Sequence, residues 1–312
     1  MARRLPGEFY PTADNPCPSG GTAFSLELSP ALKIRIAHWT GGVRGTVFVL
    51  PGRSECIEKY FETIGDLIAR GFSVAAIDWR GQGASSRLLP NPLKGHVGDF
   101  AEYLADFGAL LSALEGEAPK PHLLLAHSMG ANIAMRVLSE WPRFQGALFT
   151  SPMLGLVQSG PAIAALAAIW PPEAFVPGGA QFDPYTEAFA SNPVTRDARR
   201  FQRNLAIIQT HRALALGGAT GGWVKAALRS NALIGRPSFL ARIKVPVVIL
   251  TAAKEKIVSN REQARIAKRL TQGSQVVIAD AYHELLQERD LIRAQVWHAF
   301  DVLTDRVARR PA

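Results

Sequence analysis

Cysteine is scarce in this 312-residue sequence, which contains only Cys17 and Cys56. The two residues form neither a CxxC pair nor a pattern with metal-ligand spacing. One pair in a chain of this length is also a poor disulfide framework, so a reducing compartment is expected. The sequence therefore predicts no metal site and no disulfide-based fold.

Long apolar runs are also missing. The longest, residues 161–170, has the length of one short helix and stops at the proline pair 171–172, whereas a membrane-spanning helix needs about 20 apolar residues. The first residues, MARRLPGE, are basic but lack the apolar stretch of a secretory signal. We therefore expect a cytoplasmic protein.

Negative charge is in deficit, with 35 Lys and Arg against 26 Asp and Glu and a formal net charge of +9. The basic residues are spread along the chain without a nucleic-acid-binding motif, so no nucleic-acid partner is expected. One stripe has helical spacing, i, i+3, i+4 and i+7, and consists of Arg196, Arg199, Arg200 and Arg203. It is either a solvated helix face or a docking stripe for anionic lipid headgroups, which leaves open a peripheral contact with the inner membrane face.

What the sequence does have is an alternation of apolar strands and helical patterns. A run with period-two alternation, residues 32–38, indicates a half-exposed antiparallel strand, and Gly41 and Gly42 predict a hairpin-like turn from it into strand 46–50. The predicted strands are 46–50, 72–77, 122–126, 146–150, 245–250 and 275–278, and the predicted helices are 57–69, 99–114, 129–139, 260–270 and 288–304. Strand 46–50 is uniformly apolar, as expected of a strand covered on both faces. This alternation predicts an α/β fold with a mostly parallel central sheet and helices on both faces.

The alternation is interrupted once. We predict a core in two parts, 1–151 and 239–312, with an irregular arm at 1–21 and an inserted helical cap at 152–238. An insertion above the carboxyl edge of a parallel sheet lies where ligands bind. Apolar residues of the cap, Ile169, Trp170 and Phe175, either line an acyl-binding tunnel or pack the cap onto the core.

The most informative stretch is residues 123–130, LLLAHSMG, an apolar strand that enters a tight turn before a helical pattern. This is the arrangement of a nucleophile elbow, which holds a serine above the sheet in a strained backbone conformation. The turn needs small residues two positions before and two after the serine, and Ala126 and Gly130 meet that need. Ser128 is therefore the predicted nucleophile.

A serine nucleophile needs a base and an orienting acid, which follow it in the chain order Ser, acid, His. Of seven histidines, only His283 follows the last strand and precedes the last helix. The loop after strand 245–250 has one carboxylate, Glu255, and Asp280 is the alternative acid. His127 is expected to pack, because successive side chains at an elbow point apart.

Two backbone N–H groups must also stabilise the developing oxyanion. One is expected from Met129, directly after the nucleophile. The other is expected from Arg53, in the turn after strand 46–50, where Gly52 lets the backbone bend.

Five segments in order resemble the bacterial lysophospholipase and monoacylglycerol lipase group of serine α/β-hydrolases. They read LPGRSECIEKYF, IDWRGQGAS, GHVGDF, AHSMG and AYHE, and the resemblance runs from about residue 25 to 305. It implies Ser128 as nucleophile, His283 as base, and backbone donors at Arg53 and Met129. Two positions depart from the family pattern: Pro51 stands where His is usual, and Glu255 stands where Asp is usual.

The predicted function is therefore hydrolysis of the carboxylic ester of a single-chain lipid, a lysophospholipid or a monoacylglycerol, through an acyl-enzyme and without a cofactor. The alternatives are a short-chain esterase or peptidase on the same triad, and a non-catalytic ligand-binding relative. The sequence leaves the acyl chain, the headgroup and the oligomeric state open.

Overall fold

The structure is a computed structural model that describes residues 2–157, 165–167, 169–180 and 182–309. Within these ranges the chain forms one nine-stranded sheet in the order β1-β2-β3-β5-β4-β6-β7-β8-β9. The strands are β1 Arg3–Pro6, β2 Gly21–Ser29, β3 Leu32–Trp39, β4 Thr46–Leu50, β5 Ser73–Ile77, β6 His122–His127, β7 Gly146–Thr150, β8 Val247–Ala252 and β9 Gly273–Ile278.

The sheet is parallel from β5 through β4 to β9, and β1, β2 and β3 extend it as antiparallel strands. The mostly parallel sheet predicted from the sequence is confirmed. Two details were wrong. Residues 3–6 of the predicted irregular arm pair with β2, and the turn at 41–42 does not join adjacent strands, because β5 lies between β3 and β4.

Helices cover both faces of the sheet. They are α1 Phe61–Ala69, α2 Ala101–Ala113, α3 Met129–Glu140, α4 Ala198–Thr210, α5 Gly221–Ile234, α6 Pro237–Leu240, α7 Asn260–Arg269 and α8 Asp290–Ala308. Along β4, Phe48 and Leu50 belong to one buried apolar cluster, while Val47 and Val49 belong to a second. Since successive strand residues point to opposite faces, the two clusters lie on opposite sides of the sheet.

The chain leaves the sheet after β7 and returns at β8, and α4, α5 and α6 lie in this excursion. The excursion spans the predicted cap, whose limits at 152 and 238 stay predictions. Among the described residues, no helix combines the length and the apolar character needed to cross a membrane.

Candidate active site

Ser128 sits at the sharp turn between β6 and α3. Its backbone has φ 48° and ψ −114°, a left-handed conformation that is strained for a residue with a Cβ. The turn is also crowded, because a Cβ on Gly130 would lie 2.2 Å from the carbonyl oxygen of Leu50. The strain and the small-residue requirement predicted for the elbow are both present.

The Ser128 hydroxyl is in contact with a histidine on a loop that is distant in sequence. Nε2 of His283 lies 3.0 Å from Oγ of Ser128, and Nδ1 of His283 lies 2.6 Å from Oε2 of Glu255. Because Nδ1 faces a carboxylate, it carries the ring proton, which leaves Nε2 free to accept the proton of the serine hydroxyl. The three predicted side chains therefore form one hydrogen-bonded chain.

Glu255 is held from both sides. Its Oε1 accepts hydrogen bonds from the backbone N–H groups of Lys256 and Ile257, at 2.9 and 2.8 Å, while Oε2 faces His283. Burial raises the pKa of Glu255, but the hydrogen bond from His283 and those from the backbone outweigh it, so the pKa lies below its usual value. Glu255 is thus ionised at neutral pH and able to stabilise a protonated His283. Asp280, the alternative acid, is exposed.

His127 is buried beside the base. Its ring centroid lies 4.7 Å from that of His283, and its Nδ1 lies 3.0 Å from the carbonyl oxygen of Thr150. Burial lowers the pKa of His127 to about 4, although Glu55 opposes this shift. A neutral His127 packs against His283 without placing a second positive charge next to it.

The two predicted oxyanion donors lie beside the elbow. In the described part of the chain, the backbone N–H groups of Arg53 and Met129 donate to no protein acceptor. Both residues line the same cavity as Ser128. The close approach of Gly130 to Leu50 and Pro51 brings the turn after β4 against the start of α3. Two free donors on either side of a serine are what a tetrahedral oxyanion needs.

The cavity above Ser128 has a volume of about 500 Å³. Core residues form its floor, and residues of the excursion between β7 and β8 form much of its wall. The apolar lining includes Met129, Met153, Leu156, Phe182, Pro184, Val194, Phe201, Leu205, Ile207, Ile208, Leu216 and Trp223. This size and composition suit a small amphipathic ligand.

The family described as serine aminopeptidase, S33 (Hydrolase_4), matches residues 41–290. The chain belongs to this family. Lysophospholipase L2 of Escherichia coli (strain K12) is 34% identical over 270 residues, which is 81% of this chain and 78% of that protein. The probable lysophospholipase L2 of Haemophilus influenzae is 32% identical over 262 residues, 81% of this chain and 82% of that protein. The protein is thus a hydrolase of the lysophospholipase and monoacylglycerol lipase group.

Solved structures show the same fold. A soluble variant of monoglyceride lipase from Saccharomyces cerevisiae, in complex with a substrate analogue, superposes with a TM-score of 0.72 at 17% identity, covering 96% of this chain and 99% of that chain. The monoacylglycerol lipase of Paleococcus ferrophilus gives a TM-score of 0.68 at 20% identity, covering 87% and 98%. The α/β-hydrolase fold of this family member is therefore confirmed.

The structure does not bring the three predicted cap residues to the cavity. Ile169 is 81% exposed. The indole Nε1 of Trp170 donates to the carbonyl oxygen of Phe175 at 3.0 Å, and the Phe175 ring faces Lys94. None of the three is among the cavity-lining residues. Periodicity identified apolar cap residues but not the side of the cap that faces Ser128.

Two of the four arginines in the stripe, Arg200 and Arg203, neither form a solvated helix face nor are free to dock on lipid headgroups. Arg200 is buried and binds Glu62 of α1 and Asp290 of α8. Arg203 binds the same glutamate at 2.7 Å. These two arginines join α4 to the core, while Arg196 and Arg199 are exposed.

The side chain of Arg53 is a cavity-lining group that sequence reasoning missed, because only its backbone N–H was considered. Lys59 was missed as well. It lines the cavity and forms ion pairs with Glu55 at 2.9 Å and Glu284 at 2.6 Å. No local pattern marks either side chain, since their surroundings come from residues distant in sequence.

Across the described residues, no cluster of three or more His, Cys, Asp and Glu side chains is arranged to hold a metal ion.

Proposed function

We propose that this hydrolase cleaves the carboxylic ester of single-chain lipids, lysophospholipids or monoacylglycerols, through an acyl-enzyme on Ser128. The observation that carries the proposal is the Ser128–His283–Glu255 chain of contacts, at 3.0 and 2.6 Å, at the floor of an apolar cavity. The names of the relatives, lysophospholipase L2 and monoacylglycerol lipase, support the same substrate class.

In the acylation half, Oγ of Ser128 forms a bond to the ester carbonyl carbon while Nε2 of His283 takes the hydroxyl proton. The carbonyl π electrons move to the oxygen, which the N–H groups of Arg53 and Met129 stabilise. The carbon–alkoxide bond then breaks, and the imidazolium returns its proton to the leaving alcohol. The products of this half are the acyl-serine and a glycerol-based alcohol.

In the deacylation half, water replaces the alcohol. His283 removes a proton from the water as its oxygen attacks the acyl carbon, and the same oxyanion donors act again. Collapse releases the fatty acid and restores the Ser128 hydroxyl with the proton held by His283. Glu255 remains ionised throughout and holds the Nδ1 proton of His283.

The shape and lining of the cavity support a substrate with one acyl chain. Its walls are mostly apolar and its volume is about 500 Å³, so one extended chain is a better match than the two chains of a diacyl lipid. We place this activity in the cytoplasm, and the formal net charge of +9 supports a peripheral contact with an anionic membrane surface, where the enzyme collects its substrate.

The test is a matched substrate panel for the wild type and Ser128→Ala. The panel contains monoacylglycerols and lysophospholipids of several chain lengths, p-nitrophenyl acetate and aminoacyl amides. We expect turnover of the long single-chain esters by the wild type and its loss in the variant. Turnover confined to short esters or amides would reject the lipid assignment, and no turnover of any member would favour a ligand-binding protein.

A further inference from the structure

Arg53 is a cation in the cavity that has no carboxylate partner among the described residues. Of the described cavity-lining residues, Arg53 and Lys59 are the basic ones with permanent charge. Lys59 is neutralised by Glu55 and Glu284. For Arg53, the described residues place no carboxylate within ion-pair distance. The two side chains therefore differ in what they can still bind.

The guanidinium of Arg53 is only partly satisfied by the protein. One terminal nitrogen donates to the carbonyl oxygen of Gly217 at 2.7 Å, and the other donates to Oγ of Ser54 at 3.0 Å. The Nε–H is buried and has no acceptor. The two terminal nitrogens of a guanidinium carry four N–H donors in a fixed fork, and these two hydrogen bonds leave one donor on each nitrogen for a ligand.

The surroundings of Arg53 favour an anion rather than a neutral ligand. The guanidinium lies 5.3 Å from the ring centroid of Trp223, which holds it in place from the α5 side. Burial lowers the pKa of Arg53 to about 10, so the group is still cationic at neutral pH. The carboxylates of Glu55, Glu187 and Glu284 also line the cavity. Glu55 and Glu284 are paired with Lys59, and burial raises the pKa of Glu187.

Arg53 is also placed correctly along the substrate. Its backbone N–H is one of the two donors assigned to the ester oxyanion, and its side chain extends from that point toward the cap residue Gly217. In a single-chain phospholipid the glycerol unit separates the ester from the phosphate by a few bonds. One residue can therefore contact the ester through its backbone and the phosphate through its side chain.

We propose that the Arg53 side chain binds the headgroup phosphate of a single-chain phospholipid and makes the enzyme prefer lysophospholipids to monoacylglycerols. This inference rests on the proposed function, since it assigns the headgroup of the same substrate. A fork of charge-assisted donors recognises phosphate oxygens in pairs, whereas the glycerol hydroxyl of a monoacylglycerol offers no charge to the guanidinium.

The experiment measures binding without chemistry. The probes are 1-O-octylglycerol 3-phosphate and 1-O-octylglycerol, which are ethers and have no ester to cleave. Calorimetry in a Ser128→Ala background is expected to show tighter binding of the phosphate by about tenfold to a hundredfold, the range for hydrogen bonds to a charged group. Adding Arg53→Gln should remove this preference, and Arg53→Lys should retain part of it because it keeps the charge but not the fork.

The matched control is Arg87→Gln. Like Arg53, Arg87 donates to carbonyl oxygens of the excursion, those of Ala213 and Ala215, and has buried unpaired nitrogens. Arg87 does not line the cavity, so its variant should keep the phosphate preference. Loss of the preference in both variants would mean that cap attachment, not phosphate binding, sets it, and would overturn the proposal.

Two further results would also contradict it. One is equal affinity of the Ser128→Ala protein for the two ethers. The other is inorganic phosphate binding as tightly as the octyl phosphate, which would assign a free-anion site instead of a headgroup site. Hydrolysis assays beside the calorimetry separate this inference from the proposed function. Ester turnover without a phosphate preference in binding refutes only the role of Arg53. A phosphate preference in binding without any ester turnover refutes only the proposed hydrolysis.

Discussion

At the scale of single residues, the site differs from its family pattern in the acid. Glu255 is one methylene longer than aspartate, and the loop after β8 accommodates this by placing Oε1 on backbone N–H groups while Oε2 reaches His283. Because the backbone hydrogen bonds fix the carboxylate, Glu255 keeps its orientation toward His283 despite its longer side chain. The substitution is consistent with a working acid.

If Glu255 orients His283 through its charge and its length, two changes at this position should have different effects. Glu255→Gln removes the charge and favours the wrong histidine tautomer, and kcat is expected to fall by a factor on the order of 10³ to 10⁴. Glu255→Asp keeps the charge but cannot span both sets of partners, so a smaller loss is expected. Steady-state kinetics on one monoacylglycerol ester measures both; a Gln variant within a few fold of the wild type would show that Glu255 does not orient His283.

At the scale of secondary-structure elements, the elbow depends on how closely α3 approaches the end of β4. A Cβ at position 130 would meet the carbonyl oxygens of Leu50 and Pro51 at 2.2 and 2.5 Å. Both contacts are with backbone atoms, which cannot move aside as a flexible side chain can. The contact between these two elements is therefore possible only with glycine.

Gly130→Ala is expected to lower the free energy of unfolding by about 3 kcal/mol, at the upper end of overpacking costs. Gly65→Ala is the matched control, because a Cβ on Gly65 in α1 meets nothing within 4 Å. That change is expected to be neutral or to stabilise by about 0.5 kcal/mol through helix propensity. Urea unfolding compares the two. Equal stabilities would disprove the claim that the elbow is closely packed against β4.

Ion pairs attach α4 to the core, through Arg200 and Arg203 on α4 and Glu62 on α1. Partial burial raises the pKa of Glu62, but hydrogen bonds from Arg200 and Arg203 and the charge of Arg293 outweigh it and lower the pKa to about 2. A carboxylate with a lowered pKa stabilises the folded state above its unfolded pKa, and this contribution is lost as the pH falls toward the folded value.

Glu62→Gln is therefore expected to destabilise the protein at neutral pH, by on the order of 1 kcal/mol because solvent screens this partly exposed group. The difference from the wild type should shrink as the pH falls from about 4.5 toward 2, where the wild-type carboxylate takes up its proton. Thermal unfolding across this pH range measures it. A difference that stays constant with pH would rule out the ionic attachment.

How much the sequence predicted also depends on scale. Ser128, His283 and Glu255 were predicted because each follows a strand of the predicted parallel sheet, and the carboxyl ends of parallel strands meet at one edge. β2 was missed although Phe24 and Leu26 alternate with polar residues, because the segment contains no continuous apolar run. β1 was missed because its four residues become a strand only by pairing with β2.

At the scale of the whole molecule, the cavity is shared between the core and the excursion that separates β7 from β8. Part of its apolar wall comes from α4, which carries Phe201, Leu205, Ile207 and Ile208. The sequence could not show this, because the side of a helix that faces the active site depends on how the cap docks. If the cavity holds the acyl chain, α4 sets the chain length.

Leu205→Trp tests this idea by filling part of the cavity. We expect kcat/KM for esters of long acyl chains to fall relative to that for short chains, so the preferred chain becomes shorter. Leu291→Trp is the control, because Leu291 is 83% exposed and is not a cavity residue. An unchanged chain-length profile in the Leu205 variant would place the acyl chain elsewhere.

Ser128 carries the acyl group during turnover, and peptide mass spectrometry of the quenched enzyme tests this most directly. The protein is mixed with excess lysophospholipid, quenched in acid within the first turnovers and digested to locate the modification. We expect an added fatty-acyl mass on the peptide that contains Ser128, and no such mass in Ser128→Ala. Product release by the wild type with no acylated peptide, or with the acyl group on another residue, would contradict it.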